Sequence, residues 1–448
     1  MQMRNELIFL SAVCAWWPVV SPAQDPDTLR QILERLGRLE QENRSLRGEL
    51  AEVKSELATL RVKPSLAGEP RLEERLEIQE RRVEEQAQTK VEASQRFPVR
   101  LTGMAVVNLF HNGSGASGLD TPTTASRAPG RAAAGASFRQ SVVGLEYHGP
   151  TAFWGARVSG SLFLDFFEGQ TEYSYNPARI RTASFELAWK SRSVLVGIEK
   201  PLFSPRNPNS YSYLGIAPLT ASGNLWSWQP QIRFEQRLAA GSDTQIRAQA
   251  ALFQTSEESG VAAEVPAYLI ERRRPGIQGR LEFSRKLDDT RRVEVAPAFH
   301  FSTSHIGRYS IPSSLFSLDW FANPWRKLEF SGAFFAGRNI AHFGALRQGY
   351  SLRNRDAIPV RSRGGWGQFT IPFTERVSLN LFGGVHDDRN SDLAAGGIAS
   401  NRSGAVNLMY RLAPNVVVSL EALRMSTRYL GSDTRTNHRY DLAVAYLF

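Results

Sequence analysis

The chain has 448 residues, a formal net charge of +10, 42% hydrophobic residues and a single cysteine. No run of about twenty apolar residues follows the amino-terminal segment, which excludes a spanning helix downstream. One cysteine excludes an intramolecular disulfide framework.

Residues 1–23 read as a secretory signal peptide. Arg4 supplies a thin positive end, Leu7 to Val20 is apolar, and Ser21-Pro22-Ala23 offers small residues for cleavage. Cys14 lies inside this leader, so a processed chain has no thiol chemistry. Residues 24–63 follow as an α-helical coiled coil. Leu29, Ile32, Leu36, Leu39, Asn43, Leu46, Leu50, Val53, Leu57 and Leu60 step by threes and fours without a slip, with charged residues between them. These are the expected oligomerisation positions of a rod about 48 Å long. Asn43 sets register, and the heptads leave two, three or four helices open. Residues 64–96 are a Pro-bounded linker and a second, highly charged helix.

After Pro98 the period changes from seven to two. Alternating faces such as Val99-Leu101-Gly103-Ala105-Val107-Leu109, Ile277-Gly279-Leu281-Phe283 and Val377-Leu379-Leu381-Gly383-Val385 each run about ten residues, the length of a tilted membrane-crossing strand. Their connections alternate in length. Short turns are expected near 148–151, 190–193, 240–243, 288–291, 323–326, 374–376 and 413–415. Longer polar loops are expected near 111–136, 166–178, 200–228, 256–274, 303–310, 339–362, 388–400 and 428–436. A soluble sandwich has no reason to keep its long loops at one end, whereas a transmembrane barrel does. The expected fold of residues 97–448 is therefore an all-β transmembrane barrel of about 16 antiparallel strands. The chain ends on a strand whose outward positions include Tyr440, Tyr446 and Phe448.

That ending resembles the carboxy-terminal strand of Gram-negative outer-membrane barrels, in which it serves as an assembly signal. Sixteen strands, a long third loop and Trp228-Gln-Pro-Gln-Ile-Arg233 at its close resemble the trimeric diffusion porins. A coiled coil ahead of such a barrel resembles their DcaP-like branch. The resemblance implies a homotrimer in the Gram-negative outer membrane with its coiled coil in the periplasm. It also implies passive diffusion of small hydrophilic solutes, and contact with outer-membrane lipid, lipopolysaccharide and the barrel-assembly machinery.

Residues 97–448 carry 39 basic and 27 acidic side chains, a net of +12. In a lipid-embedded barrel this excess belongs in the lumen or the loops. With the apolar face outward, Arg100, Arg157, Arg233, Arg237, Arg247 and Arg280 become pore-lining, with Glu294, Asp319 and Glu329 on the lumen wall elsewhere. Opposed rows of this kind set up a transverse field favouring anions; the alternative is a set of lumen ion pairs with no selectivity. Arg206, Tyr211 and Tyr213 are the expected constriction residues if the third loop folds inward. Trp226 and Trp228 suit either that loop or the interfacial belt. The exposed Arg residues of the long loops, including Arg353, Arg361 and Arg363, suit lipopolysaccharide phosphates or solvent.

Gly113-Ser-Gly-Ala-Ser-Gly118 matches a dinucleotide fingerprint, but Asp120-Thr-Pro follows where a helix should open. The seven histidines lack metal spacing. No enzyme activity, cofactor, metal or nucleic-acid partner is expected. The expectation is a porin with a weak preference for anions and organic acids. The rival reading is a structural protein whose coiled coil tethers the membrane to peptidoglycan.

Overall fold

The computed structural model describes residues 98–167, 177–255, 274–306, 309–353 and 356–448. The leader, the heptad rod from Leu29 to Leu60 and the second charged helix lie outside the described residues. The chain forms β1 (Val99–Asn112), β2 (Ala133–Ser137), β3 (Val142–Ala152), β4 (Ala156–Asp165), β5 (Arg179–Ala188) and β6 (Arg192–Glu199). Next come β7 (Gln229–Ala239), β8 (Thr244–Gln254), β9 (Pro275–Lys286), β10 (Arg292–Ile306), β11 (Tyr309–Trp325) and β12 (Leu328–Arg338). The last group is β13 (Tyr350–Arg353), β14 (Asp356–Pro359), β15 (Arg361–Pro372), β16 (Val377–Asp388), β17 (Ile398–Ala413), β18 (Val416–Tyr429) and β19 (Arg435–Leu447).

β13 and β14 make a separate hairpin, and the other seventeen segments form one sheet. β2 and β3 share a single position beside β1: β2 pairs with Asn108 to Asn112, and β3 with Val99 to Met104. The other edge of β1 pairs with β19, from Met104 opposite Leu447 to Asn112 opposite Arg439. The result is a closed antiparallel barrel of sixteen strands. Closure removes the open edges that an apolar solvent cannot satisfy.

Alternation decides what each face meets. Leu101, Ile232, Leu252, Phe316, Leu381 and Leu420 point outward and are exposed, while Asn108, Gln231, Gln278, Asn380 and Asn407 point inward and are buried. A soluble barrel would show the reverse; an apolar exterior over a polar interior suits acyl chains outside. Phe153, Trp154, Trp325, Phe373 and Tyr446 are exposed near the short-turn end, as an interfacial girdle requires.

Two local expectations are corrected. The first short turn is not at 148–151. Gly149 and Pro150 sit in a register shift between His148 and Thr151, and the chain reverses at Trp154-Gly155, both with positive φ (54° and 78°). The expected long loop at 303–310 does not form, because β10 and β11 stay paired up to Ile306 opposite Tyr309. Ser304, inside the expected loop, and its neighbours Ser302 and Ser313 are wall residues facing the interior. On β5 the alternation breaks at a bulge, where Phe163 pairs with Thr182 but the adjacent Leu164 pairs with Ile180. Arg181 is the extra residue.

The long loops are tied to one another at their end of the barrel. Asp392, in a short 3-10 turn (Asn390–Asp392), accepts two guanidinium hydrogen bonds from Arg361 at 2.7 and 2.8 Å. Arg353 donates to the carbonyls of Ser391 and Leu393, and the Ser351 hydroxyl to that of Asp392 at 2.6 Å. The Arg361 side-chain bonds hold the Asp392 carboxyl at about 2, below its ordinary 3.8. A depressed acid stabilises the fold above its ordinary value and loses that contribution as pH falls through the folded value. Protection of residues 389–397 against hydrogen exchange, taken relative to the intrinsic rate at each pH, is therefore expected to stay high above pH 4 and to fall as pH drops toward 2. In Asp392→Asn that protection should already be low at neutral pH.

Candidate functional site

The connection between β6 and β7, residues 200–228, folds into the lumen and follows the inner wall. Its polar backbone is met strand by strand. The Leu202 N–H donates to Gln278 on β9 at 2.8 Å, and Ser317 on β11 donates to the Phe203 carbonyl at 3.0 Å. The Asn209 N–H reaches Gln368 on β15 at 2.6 Å, and its carbonyl accepts from Asn407 on β17 at 2.8 Å. The Ser210 hydroxyl donates to Glu421 on β18 at 2.6 Å, and the Tyr211 carbonyl accepts from Asn108 on β1 at 2.9 Å. Gln140 then takes the Ser212 carbonyl at 2.8 Å and the N–H groups of Leu214 and Gly215. Arg179 on β5 donates to the Gly215 carbonyl at 2.6 Å. The loop is thus a collar rather than a plug. Its return limb contacts β17 through Ser222 and Ser403 at 2.7 Å.

One end of the collar is held by charge. Arg280 makes a two-point contact with Asp319 at 3.0 Å and meets Glu282 at 2.7 Å; it is only 4% exposed. Arg247 reaches Glu282 at 2.6 Å, Arg237 reaches Glu235 at 2.6 Å, and Arg292 reaches Glu294 at 2.7 Å. From the loop, Arg206 joins Asp319 at 3.1 Å and also pairs with Glu294. The expected opposed rows of Arg and carboxylate are therefore not what forms. Glu294 and Asp319 lie in the same patch as Arg237, Arg247 and Arg280. Glu235 and Glu282, which share the inward parity of their Arg neighbours, complete the neutralisation. Adjacent inward rows of opposite charge pair at hydrogen-bond range, where the Coulomb term is larger than across a bore.

Two cavities lie between the collar and the wall formed by β1 and β4 to β6. A cavity of about 110 Å³ is enclosed by Arg181, Lys200, Asn207, Ser210, Leu214 and Trp228 among others. Below it a wider one, about 620 Å³, reaches Arg100, Thr102, Met104 and Phe163, and shares Arg181, Lys200, Leu214 and Trp228 with the first. Arg181 stands 3.7 Å from Asp165, which Arg179 already engages at 2.8 Å. Arg179 and Arg181 flank the Trp228 ring at 5.2 and 4.9 Å. Trp226 packs edge-on to Trp228 with centroids 5.0 Å apart, so both belong to the lumen and not to an outer belt.

Arg100, Arg157 and Glu329 project inward from β1, β4 and β12. Arg233 donates to the Lys200 carbonyl at 2.7 Å and so braces the start of the collar. Tyr211 is half-buried. Tyr213 is buried with its hydroxyl on the Pro122 carbonyl at 3.1 Å, anchoring the first loop while its ring lines the small cavity. Of the basic residues at the aperture, sequence reasoning passed over Arg181 and gave Lys200 no function. Strict alternation turns Arg181 outward, and only the bulge brings it in. The inward amides were also missed; the signal available for them was parity with the lumen face.

No family model matches the sequence, and no curated protein does. Solved structures do. The outer membrane channel DcaP of Acinetobacter baumannii has a TM-score of 0.66 at 14% identity, over 78% of this chain and 97% of that one. The anion-selective porin from Comamonas acidovorans gives 0.51 at 10% identity, over 78% and 99%. OprB of Pseudomonas putida gives 0.50 at 9%, over 80% and 96%. At these identities the likeness establishes a porin-type channel fold.

The charge network makes a stability prediction. Asp319→Ala leaves the buried Arg280 guanidinium short of its two-point partner and releases Arg206, and should cost about 3–5 kcal/mol. Unfolding of the detergent-solubilised barrel reads this; a loss below about 1 kcal/mol would mean the pair does not hold the collar.

Proposed function

We propose that the protein is a passive outer-membrane channel for small hydrophilic solutes, with a preference for small organic anions. The observation that carries this reading is the pair Arg181 and Lys200, common to the linings of both cavities beside the collar. A permeant carboxylate there meets two cations and an indole face, while of the nearby carboxylates Asp165 is held by Arg179 and Glu199 accepts from the Ser184 hydroxyl. Basic side chains lining a narrow pore favour anions. The apolar wall of Phe163, Leu214 and Trp228 suits an organic anion better than a bare ion.

In this reading Arg100 and Arg157 form a basic approach from the short-turn end, which faces the periplasm. Arg233 positions Lys200, and Arg237, Arg247 and Arg280 hold the collar through Arg206. No bond is made or broken, and the work is steering and sieving. Tyr440, Tyr446 and Phe448 on the outward side of the last strand serve as the assembly signal, and the heptads from Leu29 to Leu60 bring copies together as a trimer. The anion-selective neighbour from Comamonas acidovorans is consistent with the charge preference.

Planar-bilayer recording under a salt gradient tests it. The wild type should conduct with a reversal potential favouring anions. In Arg181→Glu/Lys200→Glu the anion-to-cation permeability ratio should fall roughly tenfold, which corresponds to ~1.4 kcal/mol. Arg237→Gln should change the ratio little. Absence of conductance, or an unchanged ratio in the double variant, overturns the assignment.

A further inference from the structure

We propose a second site, on the outside of the barrel. The outward face of β17 and β18 at the long-loop end binds the phosphate of an anionic phosphoglycolipid of the outer leaflet, held by Arg402, Arg424 and Arg428. It depends on the outer-membrane setting proposed above but not on conduction.

Register places the three side chains together. Arg402 is opposite Ser426 and Gly404 is opposite Arg424, so Arg402 and Arg424 are diagonal neighbours. Arg428 is opposite Ser400, which makes it the diagonal neighbour on the other side. Such neighbours lie about 7–8 Å apart, within reach of a common anion for side chains of this length. All three have outward parity, and Arg402 and Arg424 are exposed.

Among the described residues, Arg402 and Arg424 have no carboxylate partner. Arg428 has a long contact of 3.8 Å to Asp387, which also faces Arg363 at 3.4 Å. The one carboxylate of the patch is therefore shared. Three guanidiniums clustered on a sheet face repel one another unless an anion joins them. Arg presents paired donors that match phosphate oxygens, the Ser426 hydroxyl stands in the same patch, and the buried Ser400 hydroxyl accepts from Arg428 at 3.3 Å.

The position in the strand selects a lipid over a soluble ion. Just toward the short-turn end on the same outward face come Val406 and Leu408 on β17, and Ala422 and Leu420 on β18. Val406, Leu408 and Leu420 are exposed. The arginines thus sit where the apolar band ends, the depth at which Arg on a lipid-facing strand costs only about 0–1 kcal/mol and at which lipid phosphates lie. Beside Arg424, Gly404 leaves open surface: a Cβ there would meet nothing within 4 Å. A headgroup on the arginines can therefore lay an acyl chain flat on the wall below. Of the loop arginines first suited to this task, Arg353 and Arg361 are occupied in tying the loops together.

Native mass spectrometry of the detergent-solubilised protein tests the site with three probes: diphosphoryl lipid A, the same lipid without phosphates, and orthophosphate. Diphosphoryl lipid A should bind the wild type, and Arg402→Gln/Arg424→Gln should weaken it at least about tenfold, as expected for losing charge-assisted hydrogen bonds. Arg338→Gln, exposed on β12, should leave binding unchanged. Dephosphorylated lipid should bind at the level of the double variant, and millimolar orthophosphate should not compete. Equal binding of the two lipids by the wild type overturns the proposal even if no variant folds. So does undiminished binding in the double variant, or full competition by orthophosphate. Bilayer conductance of the same preparations separates this outcome from failure of the channel assignment, because the double variant should conduct as the wild type does.

Discussion

A segment lodged inside a barrel brings its peptide groups with it, and every one taken away from bulk water needs a partner. Residues 200–228 meet this requirement with side chains of the wall. Gln278, Gln368, Asn407, Asn108 and Gln140 are each buried, inward-facing, and spent on the backbone of the collar. Hydrogen bonds of this kind have fixed length and direction, so they set where the collar lies as well as keeping it there. The opening left against β4–β6 follows from which strands supply amides and which do not.

The charges follow the same division. On β7 to β11, Arg237, Arg247, Arg280 and Arg292 are matched by Glu235, Glu282, Glu294 and Asp319, and the patch takes in Arg206 from the loop. Its arginines act as fasteners. On the neighbouring side, at β5 and the end of β6, Arg181 and Lys200 have less compensation and border open volume. A net positive interior divides into a neutralised part that shapes the bore and a residual part that can act on what passes.

Much of the fold was legible because membrane strands repeat one signal. The period of two, the alternation of short and long connections and the terminal Phe448 fixed the strand number and the face of nearly every wall residue, including Arg233 and Asp319. The failures share a cause. Arg181 depends on a bulge that alternation cannot foresee, and Trp154 turns the chain with a positive φ that its residue type disfavours. Ser304, within the stretch 303–310, looked like loop because a lumen wall and a loop use the same small polar residues. Partnership between charges was the hardest to read, since Arg247 meets Glu282 only once β8 and β9 are in register.

The burial of Arg280 gives the channel two distinct responses to ionic strength. At ~0.15 M the Debye length is about 8 Å and shrinks to about 3 Å at 1 M, but mobile ions screen only charges that they can approach. The Arg280–Asp319 contact, nearly sealed from solvent, keeps its strength in brine. Arg181 and Lys200, partly exposed beside the cavities, are screened more readily. Under the anion-channel reading proposed above, a concentrated medium blunts discrimination by charge while leaving the aperture its dimensions, so that steering gives way to sieving by size.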